Sequence, residues 1–337
     1  MRPFAYERAA ELAAALATGT VSPAALQQLR PDAQYLAGGT TLLDLMKIDV
    51  MRPDRVLDIR PGPAAQPVIR AEGGLWLSAV ASMAQAAEHP ALRRDYPVVA
   101  ESLQQAASAQ LRNMATLGGN VLQRTRCPYF RDTAFPCNKR EPGSGCAAIG
   151  GVTRLLAVLG VSEHCIASYP GDFAQALIAL DAEVETLAPD GSRRFPFADL
   201  HRPPGGTPHV ETTLQPGELI TGFRLPSLPW ARRSLYLKVR DRESYAFALA
   251  SAAVALDLRD GVVHAARIGL GGVAAVPWRA HEAESVLQGQ KLTETRAVQA
   301  AEAAFAGAVT QEDNAFKPEL GRRTLVRALL QAAAMEI

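Results

Sequence analysis

Four cysteines in the middle of the chain are the residues best suited to bind a metal. Cys127, Cys137, Cys146 and Cys165 are separated by nine, eight and eighteen residues, and the segment between the first three is rich in Pro, Gly and Asn. A segment of this composition has no periodic apolar residues with which to build its own core. We therefore expect a disulfide, a zinc ion or an iron-sulfur cluster to hold it.

These three alternatives differ in how well they suit the spacing. Disulfides concentrate in small secreted domains, and structural zinc sites usually take cysteines in close pairs. A 4Fe-4S cluster has separated corner irons and can accept thiolates from a long wrapping loop. Residues 110–146 contain six basic and two acidic side chains, a net charge of +4, and nearby cations stabilise an anionic cluster. Spacing and charge favour the cluster but leave the other two alternatives open.

Two Gly-Gly turns could present backbone N–H groups to an anionic ligand. The first is Ala37-Gly38-Gly39-Thr40-Thr41, where Thr40 or Thr41 could cap a helix, and the second is Thr116-Leu117-Gly118-Gly119-Asn120. Exposed glycine backbone before a helix favours phosphate, so the pair indicates a ligand with a diphosphate in its middle. Neither turn is a dinucleotide fingerprint or a Walker A loop. The alternative is that both are plain tight turns of one α+β domain.

The elements that must position these residues are short strands and helices, which alternate over the first sixty residues and are mixed with hairpins beyond them, and we expect an α+β fold. Hairpin signals are Gly73-Gly74 and Asp190-Gly191, Ser82 is a helix cap, and residues 226–229 are a linker. Beyond the linker we predict three strands against helices. Strands are predicted at about 4–6, 35–37, 56–59, 68–80, 153–161, 165–167, 184–195, 219–225, 236–239, 249–258 and 261–270, and helices at about 9–17, 83–89, 97–109, 173–180, from 280 and from 322.

Charge and hydropathy exclude several classes of protein. The chain has 337 residues, 35 basic and 34 acidic, and a net charge of +1, so its overall charge does not favour nucleic acid or an anionic membrane. The longest apolar runs, such as residues 155–161, are too short to span a bilayer. No apolar core follows the charges of the first eight residues, so we expect no secretory signal. The chain alone should stay in the cytoplasm.

Three further positions could contact a ligand or partner. Asp172 precedes a predicted helix, where it could cap the helix or bind a ribose or ribityl hydroxyl. Residues 201–208 form an irregular loop that is a lid, a partner contact or only a connection. Lys238 and Tyr245 lie near the boundary of the two predicted domains, in a segment that could equally be a solvated charged hairpin.

Taken together, these residues resemble the FAD-binding subunit of the xanthine dehydrogenase family of molybdenum hydroxylases. The matching stretches are Ala37-Gly38-Gly39-Thr40, residues 112–120, Asp172, and residues 236–240 followed by Tyr245-Ala246. The cysteine insert resembles more narrowly the flavin/4Fe-4S subunit of bacterial periplasmic aldehyde oxidoreductases.

The resemblance implies a fold and a set of contacts. A two-subdomain PCMH-type FAD-binding domain would cover residues 1–228, with subdomains at about 1–60 and 61–228 and a cluster loop at 124–165. A smaller α+β domain of the CO dehydrogenase flavoprotein type would cover 229–337. Lys238 and Tyr245 are candidates for the acceptor face of the flavin, with no catalytic residue assigned beyond them. The 4Fe-4S ligands would be Cys127, Cys137, Cys146 and Cys165. The implied FAD contacts are Leu36, Ala37, Gly38, Gly39, Thr40, Thr41, Leu42, Thr116, Gly118, Gly119, Asn120, Asp172, Ile220 and Lys238.

The resemblance also implies an electron-transfer subunit of a molybdenum-dependent aldehyde oxidoreductase. It would pass electrons from aldehyde oxidation to an external acceptor, in a heterotrimer with a molybdopterin-binding large subunit and a 2Fe-2S small subunit. A partner with a twin-arginine signal would carry it to the periplasm; otherwise it is cytoplasmic. The alternatives are a 4-hydroxybenzoyl-CoA reductase-like or xanthine dehydrogenase-like complex, or, in another class, a metal-stapled structural or sensor protein without flavin.

Overall fold

Three β-sheets with helices packed on them make up the described part of the chain. The structure is a computed structural model that describes residues 1–9, 29, 31–60, 67–71 and 73–337. Apart from Ala9, the helix predicted at 9–17 lies outside the described residues, as does the run of Pro and Gly at 61–63. The mixed α and β composition and the division into a longer and a smaller part agree with the sequence analysis.

The first sheet is parallel and positions the first glycine turn. Its strands are β1 (Ala5–Arg8), β2 (Ala33–Leu36) and β3 (Arg55–Asp58), in the order β1-β3-β2. Parallel strands end at the same edge of a sheet, and open sheets of this kind bind ligands beyond that edge. The turn at 37–41 leaves this edge at the end of β2 and leads directly into helix α1 (Leu42–Lys47).

The second sheet is antiparallel and has five strands. They are β4 (Val68–Ala71), β5 (Gly74–Ser78), β6 (Glu183–Ala188), β7 (Gly191–Pro196) and β8 (Leu219–Pro226), in the order β4-β5-β8-β6-β7. Both predicted hairpins are present, because β4 pairs with β5 around Gly73 and β6 pairs with β7 around Asp190. A core that includes Leu77, Phe173 and Phe223 lies between this sheet and its helices.

The third sheet has four strands, so the prediction of three was wrong. They are β9 (Ser234–Val239), β10 (Ala250–Arg259), β11 (Val262–Gly271) and β12 (Trp278–Arg279), all antiparallel in the order β12-β11-β10-β9. The added strand β12 has two residues, which pair with Gly269 and Leu270. Two residues are too few to show the alternation by which a strand is recognised.

Most of the remaining helices pack on the two antiparallel sheets, whereas α7 packs on the parallel-sheet layer. They are α2 (Met83–Glu88), α3 (Pro90–Asp95), α4 (Pro97–Gln104), α5 (Ala109–Met114), α6 (Leu117–Val121), α7 (Pro128–Arg131), α8 (Phe173–Ala179), α9 (His281–Leu287), α10 (Glu294–Ala304) and α11 (Lys317–Ala333). Ser82 caps α2 in a capping box with Gln85, as predicted from the sequence. The last three helices pack on the four-stranded sheet.

Residues 153–161 and 165–167 do not form the predicted strands. They make turns and isolated bridges, with Leu159 beside Ala274 and Ser162 beside Cys165. Most of their apolar side chains are nevertheless buried, with Leu155 an exposed exception, and the N–H groups of Val158 and Leu159 both donate to the carbonyl oxygen of Val273. The apolar run thus reflects burial against the C-terminal sheet rather than a place in a ladder.

The cysteine segment packs into a shared core. Phe130 is fully buried, and three of the four cysteines lie with it in an apolar cluster that includes Leu45 and Met46 of α1. Cys146 packs against the same cluster from its edge. The sequence suggested a segment held only by its cysteines, but the parallel sheet and α1 supply much of the apolar surface that holds it.

Candidate functional site

The first glycine turn is fixed by a close approach between two backbones. An added Cβ at Gly38 would lie 2.0 Å from the carbonyl oxygen of Met114, so only glycine fits there. Gly39 has a φ of +77°, which also favours glycine. Thr41 occupies the N-cap position of α1, but its side chain makes no capping hydrogen bond within the described residues. The predicted threonine cap is therefore absent from that part of the chain.

The second glycine turn begins helix α6 and lies against the first. Thr116 is the N-cap residue, and its Oγ1 accepts a hydrogen bond of 3.2 Å from the N–H of Gly119. The N–H of Gly118 donates to the carbonyl oxygen of Ala79 at 2.8 Å. Because Gly38 touches the residues just before Thr116, the two turns meet at one place.

A cavity opens between these turns and the five-stranded sheet. Of the residues predicted to bind the cofactor, those in its lining are Ala37, Gly38, Gly39, Thr40, Thr41, Leu42, Thr116, Gly118, Gly119 and Ile220. The other predicted residues, all within the described part of the chain, lie outside the lining: Leu36, Asn120, Asp172 and Lys238. The lining also includes residues that the sequence analysis did not assign to a cofactor, among them Gln34, Arg124, Lys139, His201 and Glu211.

Several buried polar atoms of this cavity have no partner among the described residues. They are Oε1 of Gln34, the two terminal nitrogens of Arg124 and Nδ1 of His201. Oδ1 of Asn120, at the end of the second turn, is also buried without a partner among the described residues. Buried polar atoms normally have hydrogen-bond partners. Acceptors and donors spread along one cavity therefore call for an extended polar ligand.

His201 contributes an acceptor to the cavity. Its Nε2 lies 3.1 Å from the carbonyl oxygen of Val121, and its ring contacts Tyr169 edge-on with centroids 4.8 Å apart. Burial lowers the pKa of His201 to about 4, although the Val121 carbonyl and Glu211 oppose the shift. The imidazole is neutral at physiological pH, with Nε2 as donor and Nδ1 as acceptor. The sequence placed His201 in an irregular surface loop, whereas its side chain points inward.

Asp172 and Lys238 are brought together, but outside the lining of the cavity. Nζ of Lys238 lies 2.7 Å from Oδ2 of Asp172, and the hydroxyl of Tyr236 donates to Oδ1 at 2.6 Å. Asp172 occupies the N-cap position of α8, yet its side chain makes no cap within the described residues. Tyr245, the other candidate for the acceptor face, lies apart in an exposed turn with a φ of +53°.

All four cysteines are free thiols gathered around one apolar cluster. Cys137 and Cys146 face each other across an isolated antiparallel bridge. Burial, with a smaller effect of the neighbouring thiols of Cys137 and Cys165, raises the pKa of Cys127 to about 12, although backbone hydrogen bonds from Phe130 and Tyr129 oppose the shift. Within the described residues, no group of three or more His, Cys, Asp or Glu side chains converges as the ligands of a metal ion do. The thiols are thus neighbours without a shared single-ion centre.

Comparison with known proteins identifies the family to which this chain belongs. The family described as the FAD binding domain in molybdopterin dehydrogenase matches residues 2–228, and the CO dehydrogenase flavoprotein C-terminal domain matches residues 235–337. The chain belongs to the FAD-binding subunits of the molybdenum hydroxylases. The family resemblance stated from the sequence is confirmed, and relatives of this chain are subunits of oxidoreductases.

Relatives and solved structures of this family agree along nearly the whole chain. The chain is 46% identical to the aldehyde oxidoreductase FAD-binding subunit PaoB of Escherichia coli K12, over 99% of both chains. It is 29% identical to the carbon monoxide dehydrogenase medium chain of Afipia carboxidovorans, over 98% of this chain and 97% of that one. A CO dehydrogenase structure from Oligotropha carboxidovorans shares the fold with a TM-score of 0.75, 24% identity and 99% coverage of both chains.

The cavity suits the FAD of this family. Its length is lined by both glycine turns, the places where a dinucleotide needs close approach of the backbone. Its unpaired acceptors suit ribityl, ribose or amino hydrogens, and the unpaired nitrogens of Arg124 suit an anionic oxygen.

Among the described residues, no helix is both long and apolar enough to cross a bilayer.

Proposed function

We propose that this FAD-binding subunit carries FAD and a 4Fe-4S cluster and transfers electrons within a molybdenum-dependent aldehyde oxidoreductase. The observation that carries the proposal is the cavity between the two glycine turns, with its unpaired buried donors and acceptors. The E. coli relative named above supplies the aldehyde as substrate class. When bound, FAD accepts electrons singly or in pairs, which lets one-electron centres serve a two-electron oxidation.

The chain's own residues bind and shield the cofactor. We assign FAD contacts to the cavity-lining residues of the two turns and to Ile220, whereas Leu36 and Asn120 adjoin the turns in the sequence and lie outside the lining. Asp172 and Lys238 form an ion pair outside the cavity lining, and we assign them no acid or base role toward an acceptor. Tyr245 stays a candidate for the acceptor side because its ring is exposed.

The four cysteines are the proposed ligands of the cluster. They are free and lie in or against one apolar cluster. A cubane would spread its four thiolates over four corner irons and could take them from a long segment of this kind. Bringing in the cluster would stabilise thiolates that burial otherwise disfavours.

The proposal extends to domains, partners and compartment. We propose a FAD-binding domain at 1–228, with subdomains at about 1–60 and 61–228, and a C-terminal domain at 229–337. Partner chains would supply molybdopterin and 2Fe-2S centres, in a heterotrimer exported to the periplasm with a signal-bearing partner. An external acceptor would receive the electrons.

The test is an anaerobic purification of the chain with its co-expressed partners, followed by the visible spectrum and iron analysis. Iron from partner chains is subtracted by comparing the wild type with Cys146→Ser, with Ser192→Ala on the exposed face of β7 as a matched control. We expect flavin in all three proteins and a loss of about four irons per chain in the cysteine variant. Absence of flavin from the wild type would contradict the FAD assignment, and equal iron in all three would contradict the cluster.

A further inference from the structure

Arg124 is held rigidly beside the FAD cavity. It lies between α6 and α7, and its residue is 7% exposed. Its Nε lies 2.6 Å from Oε2 of Glu211, and its guanidinium carbon lies 4.7 Å from the centroid of the Phe130 ring. An ion pair on one edge and an aromatic ring against one face fix the plane of the guanidinium group.

The other side of this guanidinium group has no partner. Both terminal nitrogens of Arg124 are buried without a hydrogen bond to any of the described residues, and Arg124 lines the cavity. A guanidinium group stays charged at every physiological pH and can only donate. Leaving such donors buried and unpaired is unfavourable, so a group outside the described residues must accept their hydrogen bonds.

The charges around Arg124 indicate that this group is an anion. Glu211 also accepts a 2.8 Å hydrogen bond from Nζ of Lys139, so both of its oxygens are engaged. One carboxylate between two cations leaves this trio with a net charge of +1. Burial raises the pKa of Glu211, but attraction by Arg124 and Lys139 outweighs burial and lowers it to about 2, so the carboxylate stays charged.

Lys139 connects this trio to the cysteine segment. It lies between Cys137 and Cys146, and its Nζ also donates to the carbonyl oxygen of Pro208 at 3.0 Å. Lys139 is therefore anchored at one end of a segment whose cysteines are the proposed cluster ligands. The contacts run without interruption from this segment through Glu211 to Arg124 at the cavity.

We propose that Arg124 binds a negatively charged oxygen of the bound flavin dinucleotide, and that Lys139 positions it by holding Glu211. This inference rests on the proposed function, because it takes FAD as the occupant of the cavity. The anionic oxygen has two sources, the diphosphate and the pyrimidine edge of the flavin, which becomes anionic on reduction. Arg124 is a binding residue, and Glu211 and Lys139 are positioning residues.

The test measures FAD affinity in the complex after its flavin has been removed. Arg124→Gln is compared with the wild type and with Arg259→Gln, which removes one positive charge from an exposed position. We expect Arg124→Gln to weaken FAD binding about tenfold or more and Arg259→Gln to leave it unchanged. Arg124→Lys should recover only part of the affinity, because an ammonium group cannot reproduce the two-nitrogen edge.

Two additional measurements separate the sources of the oxygen. If Arg124 binds the diphosphate, ADP competition weakens by the same factor as FAD binding and the flavin reduction potential is unchanged. If it binds the pyrimidine edge, ADP competition is unchanged and the potential of the variant falls. Unchanged FAD affinity together with an unchanged potential would overturn the inference, whereas a wild-type complex that does not bind FAD would overturn the proposed function instead.

Lys139→Met tests the positioning role, and it replaces Arg124→Gln in the measurement of FAD affinity if that variant does not fold. Nζ of Lys139 already donates to Glu211 and to the Pro208 carbonyl oxygen, so we expect a smaller, severalfold loss of FAD affinity than in Arg124→Gln, with the iron content preserved. Full FAD affinity in Lys139→Met would remove the positioning role of Lys139. The same result in Glu211→Gln would show that Arg124 keeps its orientation without the pair.

Discussion

Lys238 and Asp172 form an ion pair buried on both sides. Their side chains are 1% and 6% exposed, and 2.7 Å separates Nζ from Oδ2. Lys238 comes from β9 and Asp172 precedes α8, so the pair joins the C-terminal sheet to the FAD-binding part of the chain. Its strength depends on both partners, because removing one leaves the other charge buried.

We therefore expect Lys238→Met to lower the free energy of unfolding by about 3–5 kcal/mol. The double variant Lys238→Met/Asp172→Asn should recover much of that loss, because no buried charge remains. Urea unfolding of the three proteins measures both effects. If the single and double variants are equally stable, the loss does not come from leaving the Asp172 charge buried without a partner.

Gly38→Ala should separate the two glycine turns. The added Cβ would lie 2.0 Å from the carbonyl oxygen of Met114 and 2.8 Å from its carbon, so the backbone must move. We expect a loss of about 1–3 kcal/mol of stability and weaker FAD binding, measured by urea unfolding and flavin titration. Gly206→Ala is the matched control, since its added Cβ meets no atom within 4 Å. Normal FAD binding in Gly38→Ala would mean that the contact between the turns does not shape the cavity.

His201 should make the flavin-free chain sensitive to mild acid. Burial lowers its pKa to about 4 in the folded chain, whereas the unfolded imidazole titrates near ~6.5. As the pH falls through this window the unfolded chain binds the proton first, so stability is lost between about pH 6.5 and pH 4, by roughly 3 kcal/mol in all. Unfolding midpoints at about pH 7 and about pH 5 should differ less in His201→Gln than in the wild type. Equal pH dependence would mean that other groups dominate the window.

Lys317 should lower stability at neutral pH. It is fully buried on α11, and its Nζ donates to the carbonyl oxygen of Gly272 at 2.7 Å. Burial, with a smaller effect of Arg154, lowers its pKa to about 7. The cost is complete below pH 7 and disappears as the pH rises toward ~10.4, where the unfolded lysine also loses its proton. Lys317→Met should gain on the order of 5 kcal/mol near ~pH 6 and little above ~pH 10, as chemical unfolding at the two pH values can show. Lower stability of the variant at both pH values would mean that losing the hydrogen bond to Gly272 costs more than burying the lysine.

Local signals predicted those parts of the fold that depend on a few neighbouring residues. The Ser82 capping box, the Asp190-Gly191 hairpin and the two glycine turns each rest on short-range chemistry, and each is present. The four-stranded sheet was undercounted because β12 has only two residues. The apolar run at 153–161 predicts a strand wrongly, because burial and strand pairing require the same composition.

The candidate site was predicted unevenly for a related reason. Its glycines and cysteines carry recognisable chemistry, so their positions could be proposed from the sequence. Arg124, His201 and Glu211 could not, because their contacts join residues that are 80 or more positions apart. Arg124 was counted only as one of several basic residues. Packing decides which of these basic side chains faces the cavity, and no local sequence pattern predicts it.

The apolar cluster shared by the cysteine segment and α1 makes these two elements depend on each other. Phe130 and Cys137 lie in the same buried cluster as Leu45 and Met46 of the helix. Excising the segment would therefore expose apolar side chains of the helix to water, which is unfavourable. The segment is a part of the core of this layer, and a chain shortened by its removal would need new side chains to cover α1.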